Sequence, residues 1–582
     1  MNLGPRKVFI TALLACGIGL CVRPALADET AALPDTIRPL ALDHIGLRSL
    51  RTEQPALTGA GTKIAVICRS FTYVDDLPQN DYRPDTAHNC LRATAFGFHD
   101  RNPAAAGLSP HSTAVCSILF GSDDNAYHPL LGAFRYEGIV PDADAEIYEF
   151  WHFLINNVYA GLPPDVDLIS TSLGDEHQWW WTRGIQAMAE QFGIVVVAAI
   201  GNGLNAHEAV LYPAAGTNTI GVGVVDTANS EKLAVTLAAL ALAYPQHSST
   251  GPATDGRSKP DIVAPGNCLV ARPGEPNRYE PAGNWSSFAT PLVAGTAAVL
   301  IQKAKQDPNL ALAVSPIGGN CVIKALLMNS ATKLPFWHKG RLGPDDDHLV
   351  PLDYLQGAGM LNALQAYRLL TAGRNKPGRV AATGWDLSVA DTSENGEKRY
   401  RFSLQEPAGK VVTATLVWNR HYQSCYPFKR LAEEDVDLRL ELWAVDPNNP
   451  AADYLLDYSD SAVDNVEHIY HPADPNYEYY ELVVACNDAG DPNQPDRARH
   501  YALAWSAAEP PGNDDDIRLY DLNADGVVNE DDVTILLGNA LDYVQTPDRY
   551  LLGDIDESGA IDFDDIQLLM DNLDLKAQWY ER

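Results

Sequence analysis

From about residue 60 to 370 the chain alternates short Val/Ile-rich runs with helical stretches. The runs "KIAVI" (63–67), "DLISTSL" (167–173), "GIVVVAAI" (193–200) and "TIGVGVV" (219–225) are apolar at successive positions rather than at every second one. Each therefore reads as a strand buried on both faces. Segments such as "TRGIQAMAEQF" (182–192) and "TPLVAGTAAVLIQKAK" (290–305) lie between or after them. This alternation predicts a doubly wound α/β fold, a parallel sheet with helices on both sides. It accounts for little more than half of the 582 residues, so further domains are expected.

The texture changes after residue 375. "KRYRFSLQ", "KVVTATLVW", "DVDLRLELWAV", "YYELVVAC" and "HYALAWSA" alternate at period two between Pro-, Asp-, Asn- and Gly-rich breaks. Residues 376–508 thus read as an antiparallel, jelly-roll-like β-sandwich. "EPPGNDDD" (509–516) reads as a linker, and 517–582 as a third module. The net charge of −34 argues against nucleic acid or an anionic membrane as partner. Residues 509–582 concentrate that charge, with 20 acidic against 4 basic side chains.

The acidic residues of the tail are patterned. "DLNADGVVNEDD" (521–532) places Asp521, Asn523, Asp525, Asn529 and Asp532 at loop positions 1, 3, 5, 9 and 12, with the Val527 carbonyl at position 7. "DIDESGAIDFDD" (554–565) repeats this with Asp554, Asp556, Ser558, Asp562 and Asp565, and the Ala560 carbonyl. Gly526 and Gly559 hold the sharp turn. Such spacing supplies the oxygen cage of two calcium ions, one per EF-hand-like loop. The pair resembles dockerin modules, which implies a small helical domain and a cohesin-like protein partner. Glu530–Asp531 and Phe563–Asp564 stand where that family often carries docking hydroxyls, so calcium carries over better than cohesin binding.

Residues 1–27 read as a signal peptide: Arg6 and Lys7, an apolar run Val8–Val22, then "ALA" at 25–27. A lipid anchor at "LLAC" (13–16) is the rival reading. The run is short for a membrane span, and no transmembrane segment is expected elsewhere. Export to the cell surface or medium, of bacterial type, would permit disulfides among the seven cysteines beyond the leader. Cys425 and Cys486 share one block and form the favoured bridge.

"NWSSFATPLVAGTAAVL" (284–300) runs a hydroxyl-rich turn straight into a helix of small residues, with Pro291 expected in its first turn. It presents Ser287 at a helix N-terminus, where negative charge is favoured. With "HSTAVCS" (111–117), "STSLG" (170–174), "VVVAAIGNG" (195–203), "SKPDIVAPG" (258–266) and "GAGMLNA" (357–363), it resembles the ordered motifs of subtilisin-like serine proteases, the subtilase or peptidase S8 family. The resemblance implies a subtilisin-like peptidase domain over 28–375. It makes Ser287 the nucleophile, His111 the general base and Asn202 the oxyanion donor, with Ser172, Leu173 and Gly174 pairing with an extended peptide substrate. The following β-domain is similar to one carried by some secreted subtilases, with a sugar-binding sandwich as its rival.

One departure bears on activity. The family's aspartate closes the first strand, where "IAVICRSF" has Cys68. Asp75 or Asp76 could swing back as the acid, or Cys68 could pair with His111 as a thiolate. The favoured reading keeps Cys68 buried or bridged to Cys90 or Cys116 and leaves a dyad. Ser112 and Trp285 replace family glycines beside the same site, and Trp285 is expected to crowd the nucleophile turn. The leading expectation is a secreted serine endopeptidase of impaired activity. The alternatives are a pseudoprotease that binds extended peptides without turnover and a surface-assembly protein docked through its calcium-binding tail.

Overall fold

The computed structural model describes residues 45–101, 107–128, 132–203, 209–227, 240–242, 248–266, 268–283, 285–334, 337–340, 348–393, 396–487, 500–508, 520, 528–545, 555 and 561–575. All belong to one compact unit, Thr36–Arg582. The leader 1–27 and the linker 509–516 lie outside the described residues.

The strands of the first block are β1 (Lys63–Cys68), β2 (Phe96–His99), β3 (Asp144–Glu149), β4 (Leu168–Thr171), β5 (Val195–Ala199), β6 (Ile220–Thr227), β7 (Leu240–Leu242) and β8 (Ile262–Pro265). They form one sheet in the order β7-β6-β5-β4-β1-β3-β2, with β8 also paired to β6. Seven strands run parallel, and only β7 is antiparallel to its neighbour. Helices cover both faces. Ile64, Val66 and Cys68 of β1 join the core under α1 (Pro110–Phe120) and α3 (Ser286–Gln306). Ala65 and Ile67 point the other way, toward α2 (Trp180–Phe192). A strand buried on both faces needs apolar residues in succession, which is what the sequence supplies.

The chain leaves β1 for β2 and β3 on one side, then returns to β4, β5 and β6 on the other. The strand order reverses between β1 and β4. In open parallel sheets a cleft opens beyond the carboxyl ends of the strands at such a switch point. Cys68, Ser172 and Asn202 all lie at or just past those ends.

The second block holds β9 (Thr383–Val389), β10 (Glu397–Ser403), β11 (Val411–Trp418), β12 (Leu438–Val445), β13 (Tyr454–Ser459), β14 (Val466–Pro472), β15 (Tyr479–Cys486) and β16 (His500–Ala508). Antiparallel pairing gives one sheet β10-β15-β12-β13, edged by the two-residue strand Gly378–Arg379, and another β9-β16-β11-β14. Val412, Leu416, Trp418, Leu440, Leu482 and Trp505 from both sheets meet in one buried cluster. The opposite face of the four-stranded sheet meets α4 (Gly319–Asn329). Val417, Ala502 and Ala504 enter the first block's core there. The Thr415 hydroxyl donates to Asn329 Oδ1 at 3.2 Å.

Two expectations are corrected. Pro291 is the sixth residue of α3, not part of its first turn. Cys425 and Cys486 form no disulfide bridge with each other; the first is exposed and the second half-buried.

In the tail, helices α5 (Glu530–Gln545) and α6 (Phe563–Asp571) bring Val528, Leu536, Ile561 and Leu569 together. Asp532 and Asp565 are buried. Asp532 Oδ2 accepts from the Asn529 amide at 2.8 Å, and Asp565 Oδ2 accepts from the Asp562 amide at 2.7 Å. Asp521, Asn523, Asp525, Val527, Asp554, Asp556, Ser558 and Ala560 lie outside the described residues.

A buried polar seam joins the two larger blocks. Asn218 Nδ2 donates to the Arg420 carbonyl at 2.7 Å, and its Oδ1 accepts from the Arg420 amide at 2.8 Å. His421 Nδ1 and Glu190 Oε1 pair at 2.8 Å, both buried. Replacing Asn218 by Ala orphans the Arg420 amide and carbonyl together. An expected loss of about 2–4 kcal/mol should appear as a lower urea midpoint in one shared unfolding transition.

Candidate active site

Helix α3 begins at Ser286, and its N-cap, Trp285, is extended at φ −124° and ψ 143°. That backbone suits any residue, so Trp285 needs no glycine. Its half-buried side chain packs on the main core instead of displacing the turn. The positive φ of this loop sits two residues earlier, at Gly283 (φ 89°). Ser287 is 7% exposed, and its Oγ lies 3.5 Å from the Ser172 carbonyl oxygen. The Ser172 hydroxyl donates to the Ser287 carbonyl at 2.9 Å. Pro291 explains why that carbonyl is open to Ser172: it lacks the N–H that would bond four residues back.

Asn202 follows Gly201 (φ 115°) and precedes Gly203 (φ 57°). Its Oδ1 accepts from the Ser286 amide at 3.0 Å and the Ser286 hydroxyl at 2.8 Å. A backbone N–H can only donate, so this contact fixes the amide's orientation. Asn202 Nδ2 has no partner among the described residues. It is a free donor beside the nucleophile turn, the group an oxyanion needs.

His111 is the second residue of α1, whose N-cap Ser109 accepts from the Ser112 amide at 3.0 Å. Its ring centroid lies 5.9 Å from that of Phe288, the residue after Ser287. The imidazole has no hydrogen-bond partner among the described residues. Burial lowers its pKa from 6.5 to about 4, and the nearby Arg272 guanidinium acts in the same direction. Among the described residues no carboxylate opposes them.

The sequence left three third members open, and the structure places each of them. Asp75 and Asp76 form the exposed turn between the short strands Tyr73–Val74 and Leu77–Pro78, at φ 49° and 59°. Left-handed backbone at both central residues is what a two-residue hairpin demands. Neither side chain reaches His111 by a hydrogen bond or ion pair among the described residues. The thiolate alternative would require Cys68 to ionise where it is buried. Cys68 is 3% exposed, and burial pushes its thiol up to about 12, against a smaller opposing effect of its hydrogen bond with the Ser112 hydroxyl. Nor is Cys68 bridged: Cys68, Cys90 and Cys116 are all buried free thiols. Two departures from the family pattern, Cys68 and Ser112, thus partner each other.

Glu149 escaped the sequence reading. It closes β3 directly beside Cys68 in register and is 1% exposed. Its Oε2 accepts from the His152 amide at 2.8 Å, while Oε1 has no partner among the described residues. Burial raises its pKa. Its only sequence signal is an acid ending a buried strand.

Past β4, Ser172, Leu173 and Gly174 run beside the nucleophile turn. The exposed Gly174 backbone has no partner among the described residues, which leaves an edge open for an added strand.

The low pKa of His111 keeps its base form dominant to about pH 4. Ser287 labelling by an organophosphorus reagent is therefore expected to stay level from pH 8 to 5 and to halve near pH 4. An acid limb near pH 6.5 would contradict it. Stability follows the same sign. The unfolded chain binds the histidine proton from about pH 6.5 downward and the native chain only near 4, so acidification through that window destabilises the fold.

The subtilase family profile matches residues 59–359. The chain is 27% identical to subtilisin of Bacillus pumilus over 269 residues, which is 46% of this chain and 85% of that protein. It is 28% identical to subtilisin E of Bacillus subtilis over 271 residues, 46% of this chain and 61% of that protein. Pyrolysin of Pyrococcus furiosus matches at 26% over 324 residues, 48% of this chain and 21% of the relative. The match thus spans less than two thirds of several of these relatives' length. Among solved structures, a PatG macrocyclase in complex with peptide aligns at 17% identity and a TM-score of 0.40, over 56% of this chain and 97% of that one. With its profile match covering about half the sequence, the chain belongs to the subtilase family.

Proposed function

We propose that this chain is an exported subtilase that performs slow acyl transfer through a Ser287–His111 dyad. One observation carries the reading: among the described residues, Ser286 holds Asn202 with its donor unpartnered beside Ser287, and no acid pairs with His111. In the proposed step the Ser287 hydroxyl attacks the substrate carbonyl and His111 takes its proton. Asn202 Nδ2 and the Ser287 amide hold the oxyanion. The missing carboxylate would orient the imidazole and stabilise its charged form. Removing that aspartate alone from subtilisin costs roughly 3 × 10⁴ in kcat. The second reading, a peptide-binding pseudoprotease, rests on the same open edge at Ser172–Gly174 and the same missing acid.

Labelling by a fluorophosphonate separates the two. Slow labelling, lost in Ser287→Ala and strongly reduced in His111→Ala, is expected. Cys68→Asp should accelerate it by about 10²- to 10⁴-fold, and more when Ser112→Gly clears the space beside the new carboxylate. No labelling in the native chain and none in the double variant would leave the pseudoprotease.

The remaining reading concerns the other blocks. Residues 376–508 as a jelly-roll-like sandwich domain rest on the two antiparallel sheets and their shared core. The tail as a dockerin-like module for two calcium ions rests on the loop spacing and on Asp532 and Asp565, buried carboxylates of the hard-oxygen type calcium prefers. A cohesin-like partner for it is the weakest element, since Glu530–Asp531 and Phe563–Asp564 depart from the docking pattern. Export rests on the leader 1–27. Calorimetric titration of the full chain with calcium should give two sites, one lost in Asp521→Ala and the other in Asp554→Ala. Heat that is unchanged in the double variant would rule the loops out.

A further inference from the structure

We infer that the Lys339 amine and the Asp457 carboxyl condense into an amide, a covalent bond that the folded chain makes between its first two blocks. Lys339 lies in the segment after α4, and Asp457 lies in β13, the edge strand of its sheet. Each side chain is 2% exposed, and Lys339 Nζ stands 3.8 Å from Asp457 Oδ2. Other buried pairs close to hydrogen-bond distance: Lys324 Nζ meets Asp261 Oδ1 at 2.8 Å, and Arg51 Nη1 meets Glu137 Oε1 at 2.7 Å. The Lys339–Asp457 pair keeps a gap that the amine crosses to reach the carboxyl carbon. Burying two charges is costly, and an amide carries neither.

The carboxyl is set up as an electrophile. Asp457 Oδ1 accepts from the Tyr458 amide at 2.7 Å, and His348 Nδ1 lies 3.3 Å from the same oxygen. His348 Nδ1 also stands 2.9 Å from the Tyr458 carbonyl oxygen, which can only accept, so this nitrogen carries the proton. The His348 ring stacks on Tyr458 with centroids 4.1 Å apart, and the His348 carbonyl accepts from the Asp460 amide at 2.9 Å. The imidazole is thus fixed to β13 and to the turn after it. Two N–H groups aimed at one oxygen hold the charge of a tetrahedral intermediate. They leave Oδ2 facing the amine.

The step balances without a co-reactant. One proton passes from the ammonium to the carboxylate and gives amine and acid. The Nζ lone pair attacks Cγ, a C–N bond forms, and Oδ1 takes the negative charge. The tetrahedral centre then collapses to the amide. The Cγ–Oδ2 bond breaks, and Oδ2 leaves as water with its own proton and one from Nζ. The His348 side chain is 36% exposed, so the water has a route out.

Mass spectrometry of the full chain, denatured and with its thiols reduced, tests this. The chain is expected to weigh one water less than the sequence counted from its own N-terminus. A protease digest should contain a branched peptide joining Lys339 to Asp457. Lys339→Arg and Asp457→Ala should each restore the full mass and abolish that peptide. His348→Ala keeps both partners and is expected to leave most chains at full mass; complete bond formation in it would contradict the part given to the histidine. A native chain of full mass, a missing water that maps to another site, or water loss that persists in Asp457→Ala would each overturn the inference. If a variant does not fold, the digest of the native chain decides alone.

Discussion

Helix α3 is buried on every side, and the arrangement of the first block follows from that. Eighteen of its 21 residues are buried, and only its last turn, with Lys303, Lys305 and Gln306, reaches solvent. The run Ala294-Gly295-Thr296-Ala297-Ala298 keeps it thin. A methyl group on Gly295 would fall 2.6 Å from Ile139 Cγ2, so the helix lies as close to its neighbour as a backbone can. A helix seated so tightly cannot shift along its axis. Its N-terminus, and with it Ser286 and Ser287, is fixed against the ends of β4 and β5. The Ser286–Asn202 and Ser172–Ser287 hydrogen bonds then form between elements that are already immobile, which is how a reactive geometry is preorganised.

The electrostatics around His111 have been rebuilt rather than merely depleted. An acid at position 68 would be a buried charge needing partners. Cys68 is instead a neutral thiol bonded to the Ser112 hydroxyl, and the cation Arg272 stands near the imidazole. Each of these favours a neutral ring. A neutral imidazole can accept a proton at any pH above its low pKa, but the charged form that results has nothing to stabilise it. The same features that keep the base available make its conjugate acid costly. Under the proposed dyad, slow acyl transfer would follow from that balance.

Much of the first block was legible in the sequence because its signals are local. Doubly buried strands show as unbroken Val/Ile runs, and the motifs around His111, Asn202 and Ser287 lie within single strand–turn or turn–helix units. What failed depended on distance through space. Asp75 and Asp76 are close to Cys68 in sequence, but the hairpin turn consumes them and holds them in solvent. Cys425 and Cys486 share a block, yet stand in different surroundings and form no bridge. Ser112 could be recognised as a departure, but its pairing with Cys68 needs the strand end and the helix start brought together. Glu149 gave no motif at all, because its place beside Cys68 comes from the register of two strands far apart in sequence.

The seam between the first two blocks shows why the second cannot be treated as a loose appendage. The four-stranded sheet lies on α4, and Val417, Ala502 and Ala504 belong to the first block's core. Around that apolar patch runs a ring of buried polar pairs: Asn218 with Arg420, Glu190 with His421, and Gln186 with Tyr422 at 2.9 Å. Buried polar groups without partners are costly, so separating the blocks would expose apolar surface and leave these groups to find new partners at once. Glu190 and Gln186 lie on α2, the helix packed on the sheet face opposite α3. Asn218 and Glu190 stand before the first residues of β6 and β5, so the second block braces the amino ends of these strands, while Ser172 and Asn202 stand past the opposite, carboxyl ends of β4 and β5.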